Sequence, residues 1–126
     1  MSIRRTLLRT VLLCLALPAA MLPAAASAAE VIVFGGTGQL GAEVVRALLA
    51  SGHEVTVFRR ESSDLSRLQA MKVKTAVGDA TVERDVQAAF AANRYDVAVN
   101  ALAKGRSDPA EFYATTQRAI TAAAKA

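Results

Sequence analysis

From residue 30 onward, short continuous apolar runs alternate with longer stretches in which apolar residues recur every three or four positions. The runs are EVIVF (30–34), EVTVF (54–58), KTAVG (74–78) and DVAVN (96–100). The first, nearly continuous and rich in β-branched residues, suits a strand buried on both faces of a parallel sheet, and the other three read as further strands. Between them, QLGAEVVRALLAS (39–51) carries Leu40, Val44 and Leu48 every four residues, with Val45 and Leu49 beside them, and Gly52 ends this amphipathic helix. A short helix is expected around Asp64–Met71. Thr81 is placed as the cap of a helix in which Val82, Val86, Ala89 and Phe90 share a face. Asp108-Pro109 pairs a capping side chain with a proline suited to the first helical position. It opens a last helix lined by Phe112, Thr116, Ala119, Ile120 and Ala123.

Strands alternating with helical segments imply crossover connections, and so an α/β doubly wound parallel sheet with strand order 3-2-1-4. The chain stops at AITAAAKA, inside a helical pattern that no glycine or proline closes. A sheet of this order usually adds a strand beside the fourth. Residues 29–126 therefore read as the first part of a longer protein, truncated at the C-terminus, with a natural minimal domain as the alternative.

The first 28 residues have a different character. A basic start (IRRTLLR), an apolar run (VLLCLAL) and an alanine-rich stretch ending in Ala26-Ser27-Ala28 make up a secretory signal, cleaved after Ala28. Arg4-Arg5, followed after one spacer by Leu7-Leu8, fits the twin-arginine route, which exports folded proteins to the periplasm. An ordinary basic n-region, an uncleaved membrane anchor and initiation at Met21 in the cytoplasm are the alternatives; after cleavage no membrane association is expected. This segment also explains the charge. The net +4 includes Arg4, Arg5 and Arg9, and from Glu30 onward 12 basic residues face 11 acidic ones. That near balance, with few aromatics, argues against nucleic acid as a partner. Cys14 is the only cysteine, so after residue 28 there is no disulfide, thiolate metal ligand or cysteine nucleophile.

The candidate chemistry lies in FGGTGQLG (34–41). Gly36, Gly38 and Gly41 form G-x-G-x-x-G, and Gly35, Gly38 and Gly41 form G-x-x-G-x-x-G. Three glycines alone are weak evidence; between a strand and a helix they are the context a dinucleotide-binding loop requires. The first glycines permit a tight turn, Gly38 leaves a diphosphate free to approach the backbone, and Gly41 lets the helix pack on the strand. Amides near Gln39 and Leu40 then present the positive helix end, with Thr37 as a further donor. At the tip of the second strand an acid would accept the ribose hydroxyls of NAD. Here that position reads VFRR, and the guanidinium groups of Arg59 and Arg60 suit a 2′-phosphate, with Ser62 or Ser63 adding hydroxyls. NADP is favoured as cofactor and NAD is the alternative.

On FGGTGQLG, VFRR, GDATVERDV, DVAVNALA and YATTQRAITAAAKA the chain resembles the atypical and extended short-chain dehydrogenase/reductases, particularly their NAD(P)H-binding, NmrA-like members, across nearly all of 30–126. The resemblance implies the first part of a Rossmann-type domain. It implies further that Asp79 meets the adenine amino group, and that Ala101 to Ala103 lie beside the adenine and ribose, with Asn100 either anchoring its strand's end or simply closing it. Catalytic members pair a tyrosine with a lysine four positions on. Tyr113 is followed at that spacing by Gln117, so no catalytic residue is assigned, and Tyr113 is expected to be a packing residue. His53, in the SGHEV turn, is expected to be exposed and without a role; neither a Ser-His-Asp arrangement nor a metal cluster is found. Two functions fit: the cofactor half of an NAD(P)-dependent oxidoreductase or epimerase acting on a small molecule, or a non-catalytic NADP-binding, redox-sensing module with a protein partner.

Overall fold

A computed structural model describes residues 26–126. The basic start and apolar run of the expected signal, with Cys14, lie outside the described residues. The elements run β1 (Glu30–Phe34), α1 (Gln39–Ala50), β2 (Glu54–Arg59), a 3-10 turn (Ser66–Leu68), β3 (Lys74–Val77), α2 (Glu83–Ala92), β4 (Val97–Asn100) and α3 (Phe112–Lys125). All three strand pairings are parallel and the order is β3-β2-β1-β4. Each strand falls within about a residue of its expected bounds. The segment around 64–71 forms only a single 3-10 turn, because Asp64 accepts from both the amide and hydroxyl of Ser66 and closes the chain locally.

Alternation along the central strands divides the core into two layers. Val31, Val33, Val55 and Val57 face Ala42 and Val45 of α1 and Leu68 of the 3-10 turn. Ile32, Phe34 and Phe58 face Val86 and Ala89 of α2 and Ala119, Ile120 and Ala123 of α3. The sheet is thus covered on both sides, which is why β1 is apolar without interruption. Phe34 anchors the second layer, its ring centroid 4.8 Å from that of Phe58 and 6.4 Å from that of Phe90. Thr116 is tolerated in this layer because its hydroxyl donates to the Phe112 carbonyl one turn back, at 2.9 Å.

Three local expectations need correction. The buried stripe of α1 is Gly41, Ala42 and Val45, whereas Leu40 is 70% exposed. The first turn of α1 sets Gly41 and Ala42 against the sheet and loop, and Leu40 points away from them. Thr81 does not cap α2, which begins at Glu83. It donates instead to Asp79 Oδ1, from its amide at 2.8 Å and its hydroxyl at 2.7 Å, while Asp85 reaches back to the Asp79 amide at 3.0 Å. Asp108 does not cap α3 either; a turn with the Phe112 amide bonded to the Pro109 carbonyl precedes the helix, and the N-cap is Glu111.

Helix α1 ends as its sequence predicts. Gly52, at φ 84°, follows Ser51, and the Gly52 and His53 amides donate to the Leu49 and Leu48 carbonyls, satisfying the last turn. His53 is half-buried rather than exposed, and its Nδ1 accepts from the Ala29 amide at 3.1 Å, tying the entry of β1 to this turn. At the same end of the sheet Lys74 bridges Glu54 at 2.6 Å and Glu30 at 3.5 Å, and Asp96 accepts from the Glu30 amide. These contacts hold the end opposite the glycine loop. Among the described residues no helix is long and apolar enough to cross a membrane.

Candidate functional site

The carboxyl ends of the four strands open onto a cleft of about 520 Å³, within the usual range for a small-molecule site. One lip is the glycine loop. Gly35 adopts φ 82°, a left-handed conformation that side chains resist, and a Cβ there would sit 2.5 Å from the Ala101 carbonyl oxygen. A Cβ on Gly41 would overlap the Gly35 carbonyl oxygen outright, so the close approach of helix to loop depends on that glycine. Gly36 packs against Val57 and Val45.

Gly38 differs from these. It takes an ordinary extended conformation (φ −76°, ψ 172°), and a Cβ there would meet only the Gly35 carbonyl oxygen, at 3.4 Å. Of the loop glycines, then, only Gly35 needs an unusual backbone angle; Gly38 keeps space open at the helix end. The first backbone bond of α1 runs from the Ala42 amide to the Gly38 carbonyl at 2.9 Å, and no side chain caps the helix. The amides of Gln39, Leu40 and Gly41 precede that bond and have no carbonyl within the helix. Thr37, Gly38, Gln39 and Leu40 all line the cleft, so a helix N-terminus with its partial positive charge opens directly onto it.

The floor and far side come from β2, β3 and β4. Phe58, Gly78 and Ala80 contribute apolar surface. Arg59 folds over its own turn, with Nη1 donating to the Arg60 carbonyl at 3.1 Å and the Glu61 carbonyl at 3.4 Å, while its buried Nε has no partner among the described residues. The Arg60 amide is held by Ser63 Oγ at 3.0 Å, and its guanidinium lies 3.6 Å from the Asp108 carboxylate.

Asp79 stands beside the main cleft, in a depression it shares with Arg60, Glu61 and Ser62. Burial pushes its carboxyl up, but the hydrogen bonds from Thr81 and the attraction of Arg60 outweigh this and hold it below the ordinary aspartate value. Thr81 occupies Oδ1, leaving Oδ2 without a partner among the described residues.

The second lip is the segment 101–111. Asn100 does anchor its strand's end, because its Oδ1 accepts from the Leu102 amide at 3.2 Å and its Nδ2 donates to Gln117 at 2.9 Å. Ala101 and Ala103 line the cleft. Tyr113 is not a packing residue. It is 54% exposed, lines the cleft, and its hydroxyl accepts from the Lys104 amide at 3.1 Å; the neighbouring Phe112 fills the core instead. Asp108, missed as a site residue, also lines the cleft. The aspartate-proline pair was a signal for this position, but it pointed to a cap.

The structure therefore brings together Gly35, Thr37, Gly38, Gln39, Leu40, Gly41, Arg59, Arg60, Ala101 and Ala103 around one cleft. Gly36 lies behind the loop, and Asp79 lies to one side.

Known proteins agree with this architecture. The family model described as NAD(P)H-binding matches residues 35–126. Sterol demethylase protein B of Methylococcus capsulatus is 45% identical over 59 residues, covering 47% of this chain and 18% of that protein. The 3-diazoavenalumate denitrifying reductase of a Streptomyces species is 36% identical over 95 residues, covering 73% of this chain and 30% of the reductase. Of solved structures, gox2253 superposes with a TM-score of 0.65 at 26% identity, over 75% of this chain and 30% of its own. WbmG of Bordetella bronchiseptica, solved with NAD and UDP, has a TM-score of 0.64 at 21% identity, over 78% of this chain and 34% of its own, a likeness of fold. This chain spans less than a third of the length of the curated relatives it matches. With this sheet order, this glycine loop and this match, the chain belongs to the NAD(P)H-binding family that the model describes.

Proposed function

We propose that the cleft binds NADP(H) in preference to NAD(H), for an oxidoreductase or epimerase whose proton-transferring residues are not among those described. The observation that carries this is the uncapped N-terminus of α1, opening beside the space at Gly38 and facing two arginines at the tip of β2. A diphosphate would lie against Gly38 and take the amides of Gln39 and Leu40, with Thr37 as a further donor. The guanidinium groups of Arg59 and Arg60, which line the cleft at the tip of β2, suit the extra phosphate that distinguishes NADP from NAD. Asp79 keeps Oδ2 for the adenine amino group, and Ala101 and Ala103 offer small surfaces for adenine and ribose.

When bound, the nicotinamide supplies the hydride chemistry; the residues described here bind and orient it. Tyr113 has no lysine partner at the usual spacing, since Gln117 stands there, held by Asn100 and Thr121. In the purified protein, saturating NADPH should raise the melting temperature more than the same concentration of NADH, because the tighter ligand stabilises the native state more. Equal shifts would contradict the NADP preference, and no shift with either would contradict dinucleotide binding itself.

Export is proposed on separate grounds. Ala26, Ser27 and Ala28 are exposed and precede β1, so cleavage there leaves the fold intact. Periplasmic material should begin at Ala29 on N-terminal sequencing; a retained leader would refute cleavage.

A further inference from the structure

The far side of the cleft meets the 101–111 lip through one ion pair. Arg60 leaves the tip of β2, and its guanidinium lies 3.6 Å from Oδ1 of Asp108, in the segment before α3. The two partners are not equally free. The Asp108 side chain is 16% exposed, and its other oxygen accepts from the Gly105 amide at 2.7 Å, while the Arg60 side chain is 48% exposed. The carboxylate is thus built into its loop and the guanidinium is the more exposed member. Asp108 does not cap the start of α3; one oxygen holds the Gly105 amide and the other is left to Arg60.

We infer that Asp108 is a specificity-determining residue that competes with the 2′-phosphate of NADP for Arg60, and so limits the preference of this cleft for NADP over NAD. The inference rests on the NADP reading given above. A phosphate drawing on Arg60 must either displace the carboxylate or share the guanidinium with it. The first loses an existing attraction, and the second sets two anions side by side. Both reduce affinity only for the ligand that carries the phosphate, since NAD makes no demand on Arg60. Specificity is a difference between two affinities, so a residue that weakens one of them sets the ratio. In population terms, only the fraction of molecules with Arg60 released is competent for the phosphate, and the apparent dissociation constant for NADPH rises accordingly.

Asp108→Asn tests this in the full chain, because asparagine keeps an oxygen for the Gly105 amide while removing the charge. The dissociation constant for NADPH should fall about fivefold, the upper end for a partly exposed ion pair, and that for NADH should change less than about twofold. Asp108→Ser should act in the same direction, which guards against an isolated folding defect in either variant. In an Arg60→Ala background, Asp108→Asn should no longer affect NADPH, since the two residues act as a unit. Unchanged NADPH affinity in well-folded Asp108 variants would overturn the inference, as would equal tightening of both cofactors, which would make the pair a general barrier. The underlying reading fails separately: it falls if Arg60→Ala alone leaves NADPH affinity unchanged. If Arg60→Ala weakens NADPH and Asp108→Asn does nothing, NADP binding stands and only the competition is wrong.

Discussion

The two lips of the cleft are built by different means. The glycine loop is set by the backbone: Gly35 is pressed against Ala101, Gly41 against Gly35, and the Gly38 amide donates to the Gly35 carbonyl at 3.1 Å. Nothing in it depends on a flexible side chain. The 101–111 lip has only one backbone bond of its own before its final turn, from the Asp108 amide to the Gly105 carbonyl at 3.3 Å. Beyond the Ala101 amide, which donates to the Phe34 carbonyl at 2.8 Å, side chains hold the rest of it: Asn100 at Leu102, Tyr113 at Lys104, and Asp108 at Gly105 and Arg60. A lip fixed by steric contact tolerates no substitution at its contacts, whereas one fixed by several separate hydrogen bonds loses them singly and can adjust to what enters the cleft.

The largest expected effect therefore lies in the first lip. Gly41→Val should destabilise the fold by about 3 kcal/mol, the upper end of the over-packing range, because its Cβ meets backbone that cannot move aside. Denaturant unfolding measures this, and a loss below about 0.5 kcal/mol would show that α1 does not need its close approach. Gly38→Val sharpens the contrast within the same loop. Its backbone angles are open to valine and its Cβ has room, so unfolding should change by less than about 1 kcal/mol. NADPH affinity should nevertheless fall at least a hundredfold, about 2.7 kcal/mol, as the side chain fills the diphosphate's position. Retained affinity would make this loop a structural turn alone.

In the second lip, Asn100→Ala should cost about 1 kcal/mol, the ordinary net worth of a hydrogen bond, with faster hydrogen exchange at the Leu102 amide. A loss as large as that of Gly41→Val would erase the difference between the lips. The smallest effect is a dependence on pH at Asp79. Its folded-state carboxyl is held below the ordinary value, so its contribution is present above the normal aspartate range and is lost as pH falls through the lowered folded value. Asp79→Asn should flatten the acid limb of the stability profile, and an unaltered limb would remove Asp79 from that account.

The same contrast explains what could be read from the sequence. The apolar runs give strands, buried on both sides at β1 and β2 but exposed or half-buried at the edge strands β3 and β4, and a glycine loop between strand and helix has few conformations open to it; sheet order and the first lip follow. Asp108 and Thr81 do not cap the helices their positions suggest, because the residues that favour caps also favour local turns, and spacing does not tell which amide each will meet. Asp108 took Gly105 and Arg60, and the Thr81 hydroxyl became a donor to Asp79 rather than an acceptor at the helix end. The buried face of the last helix, Phe112, Thr116, Ala119, Ile120 and Ala123, is the one its spacing predicts, and the adjacent Tyr113 therefore lies off that face and lines the cleft. His53 found the Ala29 amide, 24 residues away, through sheet geometry that local pattern does not contain.

Calorimetric titration of one preparation of the protein with NADPH and then NADH tests the central claim most directly. The account predicts one site for each, with NADPH bound about tenfold tighter or more, equivalent to about 1.4 kcal/mol. Equal affinities, or tighter binding of NADH, would contradict it.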